Sequence, residues 1–435
     1  VTGPWLGAVA DDFTGACDLA DAVSEAGGSA VVVVGRPTVP PPASDCVVVA
    51  LKSRTAPRDQ AVAESLAAAR WLLDAGCTTL YQKYCSTFDS TDAGNIGPVA
   101  DALVDLIGDA VAVGTPATPR VGRTVYQGHL FVGRRLLSES PLRDHPLTPM
   151  RDPDLVRVLS RQAEGEVALV DQTTVAAGPA AVTAAVEAAR CNGARHVIVD
   201  ALADRDLDTL AIALLAMPNG VLAGGAAGLA AALARTSGTA TRTSTAGACR
   251  SGVIIPARTV PVVPEGRQLI LSGSCSERTR EQVNEFPGPR VTLSPVDLDI
   301  GFAETVDAVA AAVAGAYRNT SGPVLVTSSS GPEHVARYES RLGPGRAAAL
   351  LEAATAQIAR HAVDTLGVRC LLVAGGETSG AVVRALKLGT LRVGPTAGPG
   401  LPWMVAEGSP TLALLLKSGN FGEPDLFTTA WRHCP

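Results

Sequence analysis

The chain has 435 residues, 47% of them hydrophobic and 18% charged, with 42 acidic and 36 basic side chains for a formal net charge of -6. That length holds two or three domains with a sizeable core, which excludes a wholly disordered chain. The acidic surplus argues against a nucleic-acid partner, and the 4% aromatic content argues against a surface that stacks bases or sugars.

The opening, VTGPWLGAVADDFTGA, places acids where the apolar core of a secretion signal would continue. Leu6 to Ala10 reads as a short apolar strand stopped by those acids, followed by a helix over Cys17 to Ala26 and a strand over Ala30 to Val34. A strand over Cys46 to Leu51 runs into Lys52-Ser53-Arg54, and an alanine-rich helix covers Gln60 to Ala75. Further strands are predicted at Leu80 to Lys83, Ala110 to Gly114, Val167 to Asp171 and His196 to Asp200. Strand and helix in that rhythm imply a mostly parallel sheet covered on both faces. Thr115 to Pro153 reads as a long irregular stretch. Leu210 to Ala234 carries no charge, but Pro218-Asn219-Gly220 and Gly224-Gly225 interrupt it. A helix, a turn, a short strand and a second helix fit it better than a membrane span.

Arg235 to Pro264 is rich in Thr, Ser and Pro and reads as a linker, with an edge strand over Gly252 to Ile255. The α/β rhythm restarts at Gln268 to Leu271 and continues with strands at Val291 to Leu293, Val324 to Thr327 and Cys370 to Ala374 and a helix over Pro344 to Leu366. The expected fold is two α/β domains with mostly parallel sheets, over 1–240 and 265–435, joined by a linker at 241–264, with the active site in the interdomain cleft. The nine cysteines are scattered without a CxxC pair, which points to free thiols in a reducing, cytoplasmic setting and to no cysteine-built metal site.

Asp11 and Asp12 stand where the first strand gives way to a helix, ahead of Thr14 and Gly15. Ligands of open α/β sheets bind beyond the carboxyl ends of strands, whereas capping the helix needs only one acid. Lys52-Ser53-Arg54 and Tyr81-Gln82-Lys83 follow other strands of the same sheet, so cations and acids share one rim. That set suits a small polyol acid, its carboxylate on Arg54 or Lys83 and its hydroxyls on Asp11 or Asp12. Asp89, Ser90 and the run Gly94-Asn95-Ile96-Gly97 add polar groups nearby. His129 and His145, the latter within Arg143-Asp144-His145, are proton-shuttle or ligand-contact candidates. In the second domain SGSCS at 272–276, GGETSG at 375–380 and KSGNFG at 417–422 each follow an apolar strand and suit phosphate binding. No GxxxxGK[ST] loop and no GxGxxG opening is present. An acid-binding rim and an anion-binding rim together suggest phosphoryl transfer from ATP, with Mg²⁺, to a hydroxyl, Asp12 or Asp11 accepting the proton.

These blocks resemble the four-carbon acid sugar kinases, in order, over roughly Leu6 to Phe427. The resemblance assigns Asp11-Asp12-Phe13-Thr14-Gly15-Ala16 and Lys52, Ser53 and Arg54 to the acid sugar. It assigns Ser274, Gly375, Gly376, Glu377, Thr378 and Gly419 to ATP. QKYCSTFDSTDAGNIGPVADAL, GRTVYQGHLFVG and LSESPLRDHPLTPMRDPDLVRVL are similar to the branch acting on 3-oxo-tetronates, although Asp92-Ala93-Gly94 replaces an expected Ala-Lys-Gly. The implied substrate set is Asp11, Asp12, Lys52, Ser53, Arg54, Lys83, Asp89, Ser90 and His145, with Asp12 catalytic. The implied reaction gives a 4-phosphate and ADP. D-threonate or D-erythronate 4-kinase, another nucleotide-dependent enzyme of sugar acids and a non-catalytic sugar-acid binder stay open. The sequence assigns no protein ligand to Mg²⁺, and a homo-oligomer is compatible with it.

Overall fold

The computed structural model describes residues 3–37, 39–144, 148–217, 220–243 and 262–435. It divides into two compact units, Val1–Arg258 and Thr259–Pro435.

The first unit carries β1 (Leu6–Ala10), β2 (Ala30–Val34), β3 (Cys46–Ala50), β4 (Thr79–Lys83), β5 (Val111–Thr115), β6 (Arg123–Tyr126), β7 (His129–Val132), β8 (Arg135–Leu136), β9 (Glu166–Val170), β10 (Ala194–Val199) and β11 (Val221–Gly225). Eight of these form a parallel array in the order β2-β3-β1-β4-β11-β5-β10-β9. The composition of β3, CVVVA, explains its place: all five residues are buried. A strand covered on both faces has no solvent side and so reads as continuous rather than alternating hydrophobicity. The helices Arg58–Asp74 and Ile96–Ile107 lay Leu72, Leu103 and Val104 against Val9, Val47 and Val49. Burying each leucine there contributes about 1.5–3 kcal/mol.

The stretch expected to be irregular, Thr115 to Pro153, instead holds a three-stranded antiparallel sheet, β6-β7-β8. Its β6–β7 turn uses Gln127 at φ 49° and Gly128 at φ 73°. Asp200, just past β10, accepts the N–H groups of Gln127 at 2.6 Å, Gly128 at 2.9 Å and Gln172 at 3.0 Å. A distant carboxylate therefore fixes a turn whose own sequence is unremarkable.

The uncharged stretch resolves into the helix Asp204–Ala216, β11 and the helix Ala227–Thr243; Pro218 and Asn219 lie outside the described residues. No helix among the described residues is long and apolar enough to cross a membrane. The helix runs on through Arg235 to Thr243, so the start of the Thr- and Ser-rich segment is helical rather than linker. The edge strand expected at Gly252 to Ile255 lies outside the described residues.

The second unit carries β12 (Arg267–Ser272), β13 (Arg290–Thr292), β14 (Val324–Thr327), β15 (Val368–Ala374), β16 (Thr390–Thr396), β17 (Pro402–Ala406) and β18 (Leu412–Lys417), in the order β13-β14-β12-β15-β18-β17-β16. The first five in that order pair in parallel; β17 is antiparallel to both β18 and β16. Trp403, Leu372, Leu415 and Phe427 form its core, and the Trp403 indole donates to Ala430 O at 3.1 Å.

Candidate functional site

In the first unit β1 lies between β3 and β4, with Ala10 opposite both Ala50 and Lys83. The residues that follow these strands therefore share one rim. Asp11 O accepts the N–H groups of Ser53 at 3.1 Å and Arg54 at 3.2 Å, which fixes the Lys52-Ser53-Arg54 block against the Asp pair. Arg54 then returns its side chain: Nε to Asp11 Oδ2 at 2.9 Å, and Nη2 to Asp11 Oδ1 at 2.8 Å and Asp12 Oδ1 at 2.9 Å. Its Nη1 stands 3.9 Å from Asp89 Oδ2. Three carboxylates surround one guanidinium.

Asp12 also caps the helix Phe13–Glu25: Oδ1 accepts Gly15 N at 3.0 Å and Oδ2 accepts the Thr14 hydroxyl. Burial pushes the Asp12 carboxyl up, but Arg54, Lys83, Thr14 and Gly15 together hold it below the ordinary carboxylate range. In Asp11 burial outweighs the arginine and the carboxyl is raised. Lys83 is buried, with Nζ 2.9 Å from Tyr84 O. A Cβ on residue 15 would lie 2.8 Å from that Nζ and 2.4 Å from Asp12 Oδ1, so only glycine admits this approach.

A pocket opens on this rim, lined among others by Asp11, Ser53, Arg54, Lys83, Asp89 and Ser90. Asp89 accepts the Thr87 hydroxyl at 2.6 Å; Ser90 Oγ and Gln162 bond at 3.1–3.2 Å. Lys52 is half-buried beside the block. The structure thus brings Asp11, Ser53, Arg54, Lys83, Asp89 and Ser90 together, with Asp12 bonded to Arg54 behind them. His145 lies outside the described residues. His129 turns its ring to Gln127 O at 2.7 Å.

Sequence reasoning assigned no individual role to Ser65, Asn95, Asp18 or Arg123. Ser65 and Asn95 line the pocket, and Ser65 Oγ and Asn95 Oδ1 are buried without a partner among the described residues. Asn95 Nδ2 holds Ser53 O at 2.7 Å and Ala56 O at 2.8 Å. Phe88, at φ 53° and fully buried, packs edge-on to Tyr84 with ring centroids 5.3 Å apart, and this strained residue sets the position of Asp89. Burial raises the Asp18 carboxyl to about 6, with Lys83, Arg120 and Arg123 opposing. Burial lowers Arg123, against the pull of Cys85, Asp89 and Asp18.

In the second unit β12, β15 and β18 are neighbours, with Ser272 opposite Ala374 and Ala374 opposite Lys417. Their following loops touch. Gly375 N bonds Lys417 O at 2.9 Å, and Gly273 N and Ser274 N bond Ala374 O at 3.0 and 3.1 Å. A Cβ on Gly419 would lie 2.4 Å from Ser274 Oγ, and one on Gly273 would lie 2.2 Å from Thr378 Oγ1. Gly375 takes φ 122°, so the chain turns straight into the helix Gly376–Ala385, whose first turn holds Glu377, Thr378 and Ser379. Ser379 Oγ is buried there without a partner among the described residues. A helix N-terminus, a close-set glycine cradle and an unsatisfied hydroxyl fit an anionic phosphate group. Sequence reasoning missed a fourth loop on this rim, Ser328-Ser329-Ser330-Gly331 after β14, where Ser329 Oγ meets Ser272 Oγ at 2.8 Å.

Residues 6–233 match the family model described as a sugar-binding N-terminal domain, and residues 269–427 match that described as a nucleotide-binding C-terminal domain. Relatives named 3-oxo-tetronate kinase include those of Methylobacterium radiotolerans (47% identical, 98% of each chain) and Burkholderia multivorans (44% identical, 99% of this chain and 97% of the relative). Among solved structures, a Salmonella typhimurium LT2 chain, provisionally described as a tRNA synthase, is 37% identical with a TM-score of 0.81 over 99% of each chain. A Haemophilus influenzae protein is 36% identical with a TM-score of 0.70 over 98% of this chain and 99% of its own. The chain belongs to the four-carbon acid sugar kinase family represented by these 3-oxo-tetronate kinases.

Proposed function

We propose that the protein transfers the γ-phosphoryl group of ATP to the 4-hydroxyl of a 3-oxo-tetronate, giving the 4-phosphate and ADP. The observation that carries this reading is the pocket of the sugar-binding unit, where acids and a buried lysine meet around unsatisfied hydroxyl and amide oxygens. The names borne by relatives of matching length support the substrate class. The provisional tRNA-synthase description is not carried over, because relatives covered to 96–98% of their own length bear the name 3-oxo-tetronate kinase.

The parts divide as follows. Arg54 spends its Nε and Nη2 on Asp11 and Asp12, so the substrate carboxylate falls mainly to Lys83, with Lys52 adding charge. Ser53, Asp89, Ser90 and Asn95 take hydroxyl and keto oxygens. Asp12 is the sequence-based choice for proton acceptor, but it already accepts from Thr14, Gly15 and Arg54 and its carboxyl is held low, whereas among the described residues the Asp11 carboxylate accepts from Arg54 alone. Asp12 serves better as an ionised orienting group. Asp11 lines the pocket with a raised carboxyl and is the better acceptor. The 4-hydroxyl oxygen forms its bond to the γ-phosphorus while the bond to the β–γ bridging oxygen breaks. The hydroxyl proton passes to the carboxylate. Ser274, Gly375, Gly376, Glu377, Thr378 and Gly419 hold the nucleotide in this reading. Mg²⁺ bound to the phosphates would supply charge neutralisation there, in keeping with its habit of taking few protein ligands. The reading includes an interdomain cleft, because the two ligands must come into contact and water must be kept from the phosphoryl group.

The test is ADP release with 3-oxo-tetronates, threonates and erythronates, with the product's phosphate position determined. ADP release that depends on a 3-oxo-tetronate and yields a 4-phosphate is the expected result. Preference for threonate or erythronate, or equal ATP hydrolysis without any sugar acid, overturns it. Asp11→Asn should lose about 10²–10⁴-fold in kcat, the usual worth of a general base.

A further inference from the structure

The KSGNFG block offers its lysine as a ready phosphate contact, yet Lys417 is fully buried. Its Nζ donates to Thr279 Oγ1 at 2.8 Å and to Gly419 O at 3.1 Å. Gly419 O also accepts the hydroxyls of Ser276 at 2.6 Å and Thr279 at 2.8 Å. One backbone carbonyl of the nucleotide loop is therefore pinned by three donors from beneath. Two acceptors for Nζ match the two N–H bonds of a neutral amine. The third N–H of an ammonium finds no acceptor among the described residues, and an unpaired buried charge is costly.

The charged surroundings agree. The helix Glu277–Glu285 carries Glu277, Arg278, Arg280, Glu281 and Glu285, with Arg278 paired to Glu281 at 3.0 Å, and the helix Gly376–Ala385 carries Glu377 and Arg384. Of these, Arg278 bears on the Lys417 amine, and it disfavours a second positive charge. At the matching register β15 presents only Ala374. Burial first and Arg278 second pull the lysine down to about 7.

We propose that Lys417 is a positioning residue that takes up a proton when nucleotide binds, becoming an ammonium only when polyphosphate arrives on the Gly419 loop above it. The proposal rests on the nucleotide-binding reading of this unit. The proton comes from solvent, and no covalent bond other than N–H forms. The sign follows from linkage: the bound state holds more protons than the free state above neutral pH, so affinity falls as pH rises from 7.

The experiment is calorimetric titration of the full chain with Mg²⁺–ADP at pH 8, in buffers of different ionisation enthalpy. ADP phosphates are fully ionised there, so the buffer dependence counts protons taken up by the protein. We expect about 0.5–1 proton per ADP, and affinity falling by up to about tenfold per pH unit above 7. K417M should remove both the uptake and the pH slope. The chain has four lysines, so ¹³C-lysine NMR of the unaltered protein reads the same event without a variant. One lysine should titrate near neutral pH when free and well above it with ADP bound. Binding with no proton uptake, equal uptake in K417M, or four lysines all titrating near 10 overturns the proposal and leaves the nucleotide reading standing. No binding in any buffer overturns both.

Discussion

Arg54 grips Asp11 with two parallel hydrogen bonds, Nε to Oδ2 at 2.9 Å and Nη2 to Oδ1 at 2.8 Å. That fork occupies the Nε–Nη2 edge of the guanidinium, one of the two edges that could otherwise take a substrate carboxylate. With Nη2 also on Asp12, the arginine acts as the keystone between two half-buried acids that would repel each other without it.

Arg54→Lys keeps the charge and loses the fork. One ammonium cannot span both Asp11 oxygens and Asp12, so one carboxylate is left half-buried and poorly paired. Urea unfolding at pH 7.5 should show a loss of about 3 kcal/mol. The loss should shrink as pH falls and the freed acid protonates. Sugar-acid-dependent ADP release should fall about a hundredfold or more, because the acids that face the substrate lose their alignment.

Gly15→Ala tests the close approach at the helix start. Its Cβ would meet Asp12 Oδ1 at 2.4 Å and Lys83 Nζ at 2.8 Å. Neither group can retreat far, since Asp12 caps the helix and Lys83 is buried. Steady-state kinetics should show the sugar-acid KM raised at least about tenfold while the ATP KM stays within twofold, because the displaced groups stand in the sugar-binding unit. Equal effects on both KM values would place the damage in the fold instead.

Much of this was readable in the residues because the chemistry sits where strands end. Val- and Leu-rich runs such as CVVVA marked the strands, and the polar blocks after them fell on a common rim once the pairing was parallel. What stayed hidden depends on contacts between distant segments. Nothing in Lys52-Ser53-Arg54 says that its arginine is already spent on Asp11. Nothing in KSGNFG says that its lysine points inward to Thr279. The β6–β8 sheet was invisible because its strands span only two to four residues and its turn is held by Asp200, some seventy positions on. The Ser328–Gly331 loop places its glycine four residues past β14, whereas Gly273, Gly375 and Gly419 stand within two residues of the ends of their strands.

Asp200→Ala should show how much that small sheet owes to one carboxylate. The substitution strands the N–H groups of Gln127, Gly128 and Gln172. Each buried donor left unsatisfied costs about 1–3 kcal/mol, and solvent reaching the opened site offsets part of the total. A loss of about 2–4 kcal/mol in chemical unfolding is expected. Hydrogen exchange should rise first at Gln127 and Gly128, ahead of the parallel sheet. Uniform exchange across the unit would contradict the local anchoring role.

The helix that begins at Asp12 carries a second electrostatic load further along. Asp21 is 4% exposed, and burial first, then Glu25 and Asp18, raise its carboxyl to about 7, with Arg120 opposing. The folded state therefore binds this proton more tightly than the unfolded chain does. Between about pH 4 and 7 the native protein holds more protons, so stability falls as pH rises through that window and stays reduced above it. Asp21→Asn removes the ionisation and should raise stability at pH 8 by on the order of 2–4 kcal/mol. At pH 4, where Asp21 is already neutral, the two proteins should unfold alike. Thermal melts of both proteins across that range decide it, since a stability difference that does not change with pH would mean that the substituted amide packs differently and that proton linkage is not the cause.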